Sequence, residues 1–448
     1  MNSRTVRFIT MGCQMNVYDS QRMMENLSQF GFRIVDKPQD AALVVVNTCS
    51  VRDKPVEKLF SALGRLRKLR NQEGYPRIVV AGCVARQLGR KILGRAPWVD
   101  VVMGPDHICQ IGELLQQREL SGNPVVATEY LEQGGFSPRI GQPPVTPQAS
   151  AFVSIIKGCN QFCSYCIVPT VRGPEHSKPL DSVLHECQTL LDNGATEITL
   201  LGQNVNKYSD QNGATSFPQL LTMVHNLPGL KRLRFVTSHP AQVDDALISR
   251  FAELPKLASH FHLPVQSGSN TILDSMNRGY TAEHYRSVVS RLRQARPDIV
   301  VTSDFVVGFC GETDQDFQAT LALAQEIRFG MAYVFKYNPR PGTRAAAWKD
   351  DVPEEVKQKR LEMLVELIEQ TMAQAMNAHV GREEAILIEG QASTLHAGRR
   401  YRQWFGRTST NFVVNIDGPE TPHTVGVGQL ADVRILQSGA HSLVGEWV

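Results

Sequence analysis

AFVSIIKGCNQFCSYCIVP, residues 151–169, runs from an apolar stretch straight into three cysteines within eight positions, Cys159, Cys163 and Cys166. AFVSII has the β-branched character of a buried strand, so the cysteines fall in the loop at its carboxyl end. Structural zinc takes four ligands in two close pairs, and no second pair follows. A redox C-x-x-C pair would leave Cys159 without a role. A 4Fe–4S cluster on three thiolates leaves one iron open to a small molecule. Loops at the carboxyl ends of barrel strands are where α/β enzymes place their chemistry.

Downstream, EITLL (197–201), LRFV (233–236), FHLPV (261–265), IVVTSDFVV (299–307) and AYVFKY (332–337) repeat the strand pattern with helical stretches between most of them. About six such units predict a partial or full (β/α) barrel. Upstream, VRFIT (6–10), LVVVN (43–47), RIVVA (77–81) and VDVVM (99–103) alternate with helices over 19–30 and 54–70. That alternation predicts a doubly wound parallel sheet, whose ligands sit at the strand carboxyl ends. Cys13, Cys49 and Cys83 lie two or three residues past the first three of these strands. In a parallel sheet those loops share one edge, so three cysteines distant in sequence would converge. Buried free cysteines that only fill space are the bland alternative, and the repetition after successive strands weighs against it.

The Gly-, Pro- and Ser-rich stretch 134–150 marks a boundary. One long amphipathic helix is expected over 352–381. The runs EAILIEG, NFVVNID and DVRILQS beyond it suggest a small antiparallel β-barrel. The division is therefore 3–120, a linker 121–147, a barrel core 148–380 and a C-terminal barrel 381–446.

The chain has 448 residues, 42% of them hydrophobic, and a net charge of +3, which by itself argues neither for nor against nucleic acid. Its N-terminus lacks an apolar signal core, and no apolar run approaches 18 residues, so a soluble cytoplasmic protein without a membrane span is expected. Nine cysteines, an odd number, without an export signal point to metal or catalytic use rather than disulfides.

C-x3-C-x-aromatic-C, with Tyr165 as the aromatic, resembles the signature of the radical S-adenosylmethionine (SAM) superfamily. With the second cysteine set, the layout resembles the methylthiotransferases over essentially the whole chain. The matching motifs are GCQMNVYDS (12–20), NTCSVRDK (47–54), AGCVARQ (81–87), KGCNQFCSYCIVP (157–169), TLLGQNVN (199–206), TSHP (237–240), HLPVQSGS (262–269) and SDFVVGF (303–309). The resemblance implies an N-terminal methylthiotransferase domain, a radical SAM core and a TRAM-like RNA-binding domain. It implies two 4Fe–4S clusters, one on Cys159, Cys163 and Cys166 with SAM on its open iron, the other on Cys13, Cys49 and Cys83. SAM cleavage there would release a 5′-deoxyadenosyl radical. Tyr165, Gln203, Ser238, Gln266 and Asp304 are the implied cofactor or substrate contacts, with turn capping as the alternative for the last four. Gln14-Met15, where a ribosomal-protein-modifying relative carries Pro-Lys, favours tRNA and methylthiolation of carbon 2 of isopentenyladenosine beside the anticodon. The same chemistry on threonylcarbamoyladenosine or on a ribosomal-protein aspartate is the enzyme alternative. An iron–sulfur RNA-binding regulator is the non-enzyme one, and the SAM-type spacing argues against it.

Implied partners are tRNA, an electron donor such as a flavodoxin or ferredoxin, and a sulfur donor of unknown identity. In RRYRQWFGR (399–407), Arg399, Arg400, Arg402 and Arg407 interleave with aromatics, a pattern suited to RNA. The basic helix around 57–72 is by default a solvated face, with contact to the tRNA backbone as the alternative. Three residues depart from the family pattern: Cys310 for proline, Lys178 for arginine and Phe412 for arginine. Cys109 and Cys187 are read as core packing.

Overall fold

The computed structural model describes residues 4–51, 54–70, 75–136, 148–210, 213–392, 403–417 and 425–448. The N-terminal strands are β1 (Thr5–Met11), β2 (Arg33–Ile34), β3 (Leu43–Thr48), β4 (Arg77–Gly82), β5 (Val101–Met103) and β6 (Val125–Ala127). They form one parallel sheet in the order β2-β1-β3-β4-β5-β6. Both faces are covered, which is why the strands read as unbroken apolar runs. Val45 and Val79 pack on one face with Met23, Leu27 and Ile111, and Val46 and Val80 on the other with Leu59 and Leu63. β6 comes from the segment read as linker, and neither it nor β2 is long enough to show a pattern in sequence.

Register is what aligns the cysteine loops. Met11 pairs with Thr48 and Thr48 with Gly82, so the three strands end level. Cys13, Cys49 and Cys83 each stand just past that row.

The core strands are β7 (Ser150–Ser154), β8 (Ile156–Lys157), β9 (His176–Ser177), β10 (Glu197–Leu201), β11 (Arg232–Phe235), β12 (His260–His262), β13 (Val300–Val307) and β14 (Met331–Lys336). β7, β10 and β11 make one parallel ladder, β12, β13 and β14 another, and a Leu233–Leu257 bridge links them. β8 and β9 form a short antiparallel pair above the sheet. Alternate side chains turn outward: Ile198, Leu233, Phe261, Phe305 and Val334 pack beneath the helical layer. The others line the inner wall. Among the described residues no ladder joins β7 to β14, so the barrel is partial. Met15 and Tyr18, on the helix Gln14–Gln29, pack on Phe152, Leu201 and Val236 of the inner wall near the β7 edge.

The expected long helix is continuous over Glu354–Asn377. Beyond it, β15 (Glu383–Gln391), β16 (Trp404–Arg407), β17 (Val413–Asp417), β18 (Leu430–Ser438) and β19 (Leu443–Trp447) close a barrel in the order β15-β16-β17-β19-β18. Its pairings are antiparallel apart from β17–β19, which run parallel, a departure from the wholly antiparallel expectation. Two arginines clamp this barrel to the core. Arg232 donates to the carbonyls of Arg407, Thr408 and Ala385, and Arg234 to those of Ser409 and Thr408. No described helix is long and apolar enough to cross a membrane.

Candidate active site: two thiol sets at strand ends

Cys13 caps the helix Gln14–Gln29 and Cys83 opens the helix Cys83–Leu88. Gly12 precedes the first; a Cβ there would stand 2.7 Å from the Cys49 Cβ and closer still to Asn16. Gly82, before Cys83, has φ +92°, and a Cβ there would collide with the Thr48 carbonyl. Glycine therefore lets the strand ends approach this closely. Two buried asparagines lock the loops together. Asn16 Nδ2 donates to Asn47 Oδ1 and to the Thr48 carbonyl, both at 3.1 Å, and Asn47 Nδ2 donates to the Asn16 carbonyl at 2.9 Å.

Cys49 and Cys83 are buried, whereas Cys13 is exposed, so the set opens to one side. A hydrogen bond from Cys49, opposed by burial and aided by Arg172, holds the Cys13 thiol down to about 6. The same hydrogen bond, with burial and the neighbouring thiols, pushes Cys49 up. Burial likewise raises Cys83. Thiols held protonated by burial shed their protons when a metal group binds.

The second set lies in the loop after β8. Gly158, at φ +78°, precedes it, and a Cβ there would overlap the Pro174 carbonyl. Gln203 Oε1 accepts from the Gly158 N–H at 2.6 Å and so holds the start of the loop. Arg278 lies beneath, donating through Nη1 to Cys163 Sγ at 3.3 Å, through Nη2 to the Pro264 carbonyl and through Nε to Tyr280 Oη. Burial pushes Cys159 up to about 11 and Cys166 to about 12. Tyr165 packs against a cluster holding Val306, Phe309 and Cys310, which is an apolar core position.

Register places the remaining sequence candidates. Gln266 is buried with φ +72°, a strained conformation for a non-glycine residue, and its backbone bridges Asp304 and Val306. Asp304 faces inward, its carboxylate 3.5 Å from His262 Nε2. Ser238 Oγ is buried and lacks a hydrogen-bond partner among the described residues. Of the five, Gln203 acts on the loop itself, a role the motif match alone did not separate from ligand contact.

Several residues went unnoticed in the sequence. Ser154 Oγ, Asn204 Oδ1 and both His239 ring nitrogens are buried without partners among the described residues. With Ser238 they stand at the ends of β7, β10 and β11, and unmet buried polar atoms there suit a polar ligand. Asn204 and His239 lay in TLLGQNVN and TSHP, which was the available signal. Tyr333 and Phe335 alternate on β14, so they share the inner face with Asp304 and Val306, their partners in register. Their rings stack with centroids 6.4 Å apart, and Tyr333 is 54% exposed, an apolar surface open to the inside of the barrel.

The RNA candidates fare differently. Arg399, Arg400 and Arg402 lie outside the described residues. Arg407 is paired to Glu389 at 3.1 Å and donates to the Asn411 carbonyl, so an RNA contact there would compete with these partners. Lys178 is buried against Glu186, which also accepts from Tyr18 Oη at 3.3 Å. Lys178 is thus neutralised inside the core, and it is Glu186 that carries the tie to Tyr18 of the N-terminal domain. Phe412 packs in the barrel core beside His379. On the helix Pro55–Arg67, Lys58, Arg65 and Arg67 are exposed, whereas Arg70 just beyond it pairs with Asp100.

Among the described residues no three histidine, cysteine or acidic side chains surround one point closely enough for a single metal ion. Soft thiols, a buried guanidinium on one sulfur of each set and an open side fit iron–sulfur groups, whose corners spread their ligands.

Residues 5–104 match the model of Uncharacterized protein family UPF0004, 153–324 the Radical SAM superfamily and 377–448 the TRAM domain. The chain is 44% identical to a tRNA-2-methylthio-N(6)-dimethylallyladenosine synthase of Burkholderia ambifaria strain MC40-6, over 99% of this chain and 97% of that one. A protein of the same name from Paraburkholderia phymatum is 44% identical over 98% and 96%. Among solved structures, the radical SAM methyltransferase TsrM of Kitasatospora setae, with cobalamin and a [4Fe-4S] cluster bound, aligns over 77% of each chain at 16% identity and a TM-score of 0.56, a likeness of fold.

Proposed function

We propose a function from one premise: the chain belongs to the tRNA-2-methylthio-N(6)-dimethylallyladenosine synthase family. It is a radical SAM transferase that places a methylthio group on carbon 2 of an adenosine already carrying the N6-dimethylallyl (isopentenyl) group in tRNA. It works with SAM and two 4Fe–4S clusters. Cys159, Cys163 and Cys166 would hold one cluster and leave a corner for SAM, while Cys13, Cys49 and Cys83 would hold the other. Loaded in this way, the first supplies radical hydrogen abstraction and the second supplies sulfur.

The observation that carries the reading is that two separate three-thiol sets stand at the strand ends of two domains, and that Arg172, six residues after Cys166, reaches Cys83 of the other set. One set alone would serve many radical SAM chemistries. A second at the ends of parallel strands suits an enzyme that must also deliver an atom. The chain's own residues bind, orient and exclude water. Gln203 and Arg278 fix the second loop. Ser154, Asn204, Ser238 and His239 offer unmet hydrogen-bonding groups to SAM or the nucleoside. Tyr333 and Phe335 offer an apolar wall for the base and its five-carbon substituent. Stacking on such rings contributes about 1–3 kcal/mol per base.

A low-potential electron donor of the flavodoxin or ferredoxin type, a sulfur donor and a cytoplasmic setting complete the proposal. The test is mass analysis of tRNA nucleosides from cells with and without the chain. The methylthiolated dimethylallyl nucleoside should vanish without it and its unthiolated precursor accumulate. Loss of a methylthiolated threonylcarbamoyl nucleoside instead would overturn the assignment.

A further inference from the structure

Arg172 belongs to the core, on the short helix Val168–Arg172 that follows Cys166, yet its guanidinium ends among the N-terminal thiols. Nε donates to Cys83 Sγ at 3.3 Å and Nη2 to Asp19 Oδ2 at 2.7 Å. Asp19 lies on the helix that Cys13 caps. One guanidinium thus reaches both a thiol and the helix carrying another. Ile167 and Val171, from the same segment, pack on Cys83 and hold it from the side.

The pair is deeply buried, Arg172 at 5% exposure and Asp19 at 0%. A buried ion pair is costly unless its remaining donors and acceptors are met. Here Arg172 Nη1 and Asp19 Oδ1 have no partner among the described residues. An unmet buried N–H on the guanidinium that holds Cys83 marks a place for negative charge. A cluster on three thiolates would bring that charge. The other thiol set has the same device, with Arg278 on Cys163.

We propose that Arg172 is a positioning residue that sets the reduction potential of the N-terminal cluster, by hydrogen-bonding the Cys83 sulfur and placing a positive charge, moderated by Asp19, beside it. The inference rests on the reading that Cys13, Cys49 and Cys83 hold a cluster. A donor to a cluster sulfur and a nearby cation both favour the more negative, reduced form, so they raise the potential.

The experiment is a dithionite titration of the anaerobic, two-cluster full-length protein, followed by electron paramagnetic resonance, with iron counted per chain. Arg172→Met should lower the midpoint of the N-terminal cluster. At the wild-type midpoint its reduced-to-oxidised ratio should fall at least tenfold, which is about 59 mV for one electron. Arg172→Lys, which keeps the charge but loses the fork, should shift it less. Asp19→Asn should shift it the other way, because the guanidinium is then uncompensated. Arg278→Met should move only the core cluster. Opposite shifts for Arg172→Met and Asp19→Asn support the proposal, and a merely structural role would not give them. Shifts of the same sign, or none, overturn it. Should Arg172→Met lose its second cluster, Arg172→Lys and Asp19→Asn still decide by sign and size. Wild-type protein with only one cluster's iron would sink the underlying reading as well.

Discussion

Replacing Arg234 by methionine should loosen the C-terminal barrel from the core. Arg234 Nε pairs with Glu197 at 2.8 Å, while Nη1 and Nη2 donate to the Ser409 and Thr408 carbonyls at 3.1 and 2.7 Å. Both members of the pair are buried. Methionine fills much of the volume but leaves Glu197 with Arg232, at 3.7 Å, as its one cation beside the Ser150 hydroxyl at 2.8 Å, and removes the donors to two barrel carbonyls. Breaking a buried pair from one side costs about 3–5 kcal/mol. The carbonyl losses belong to the same event and are not added. At about 1.4 kcal/mol per tenfold, the barrel's opening equilibrium should rise by about two to three and a half orders of magnitude. Limited proteolysis in the neck between Asn377 and Glu383, under conditions where opening precedes cleavage, reads that equilibrium directly. Arg234→Lys, able to keep the charge but not the fork, should fall between. The pair also sets an acid limit. Burial disfavours the Glu197 carboxylate, but Arg234 and Arg232 outweigh it and hold its pKa below the ordinary range. A depressed folded pKa gives stabilisation that is complete above the unfolded value, about 4.3, and lost as pH falls through the folded one. Neck cleavage of Arg234→Met within fivefold of wild type would refute this picture of the clamp.

Substituting Cys159, Cys163 and Cys166 by alanine should leave about half the iron of anaerobically prepared protein, and loss of all or none would contradict two independent sites. His239 gives a pH signature. Burial, then Arg278 and Lys207, lower its pKa to about 3 from an unfolded value of about 6.5, so its stabilisation is present above 6.5 and lost as pH falls toward 3. Wild-type unfolding free energy should fall by up to about 1.4 kcal/mol per pH unit in that window relative to His239→Phe, and parallel pH profiles for the two would show that His239 is not held neutral.

The thiol sets were legible because strand periodicity and loop position are local. Apolar runs ending just before Cys13, Cys49 and Cys83 imply level strand ends, and the register of Met11, Thr48 and Gly82 delivers them. Arg172 was not legible. Its partner Cys83 is far away in sequence, and nothing local distinguishes a buried arginine from a solvated one. The interleaved arginines suggested an RNA face at Arg407, yet strand pairing sets Arg407 beside Leu387, and Glu389 on that same strand neutralises it. Tyr333 and Phe335 could have been found, since AYVFKY alternates and Asp304 had already been named on the neighbouring strand. β6 and β2 were too short to show a period at all.

The dimethylallyl group should be part of what the enzyme recognises. Each buried CH2 contributes about 0.8 kcal/mol, so five carbons against an apolar wall could supply several kcal/mol of binding that bare adenosine lacks. The direct measurement supplies reconstituted, reduced protein and SAM with two otherwise identical tRNAs, one carrying the dimethylallyl group and one unmodified, and quantifies methylthiolated nucleoside by mass. The modified tRNA should give product, with a kcat/KM at least about a hundredfold lower for the other. Equal methylthiolation of both would contradict it.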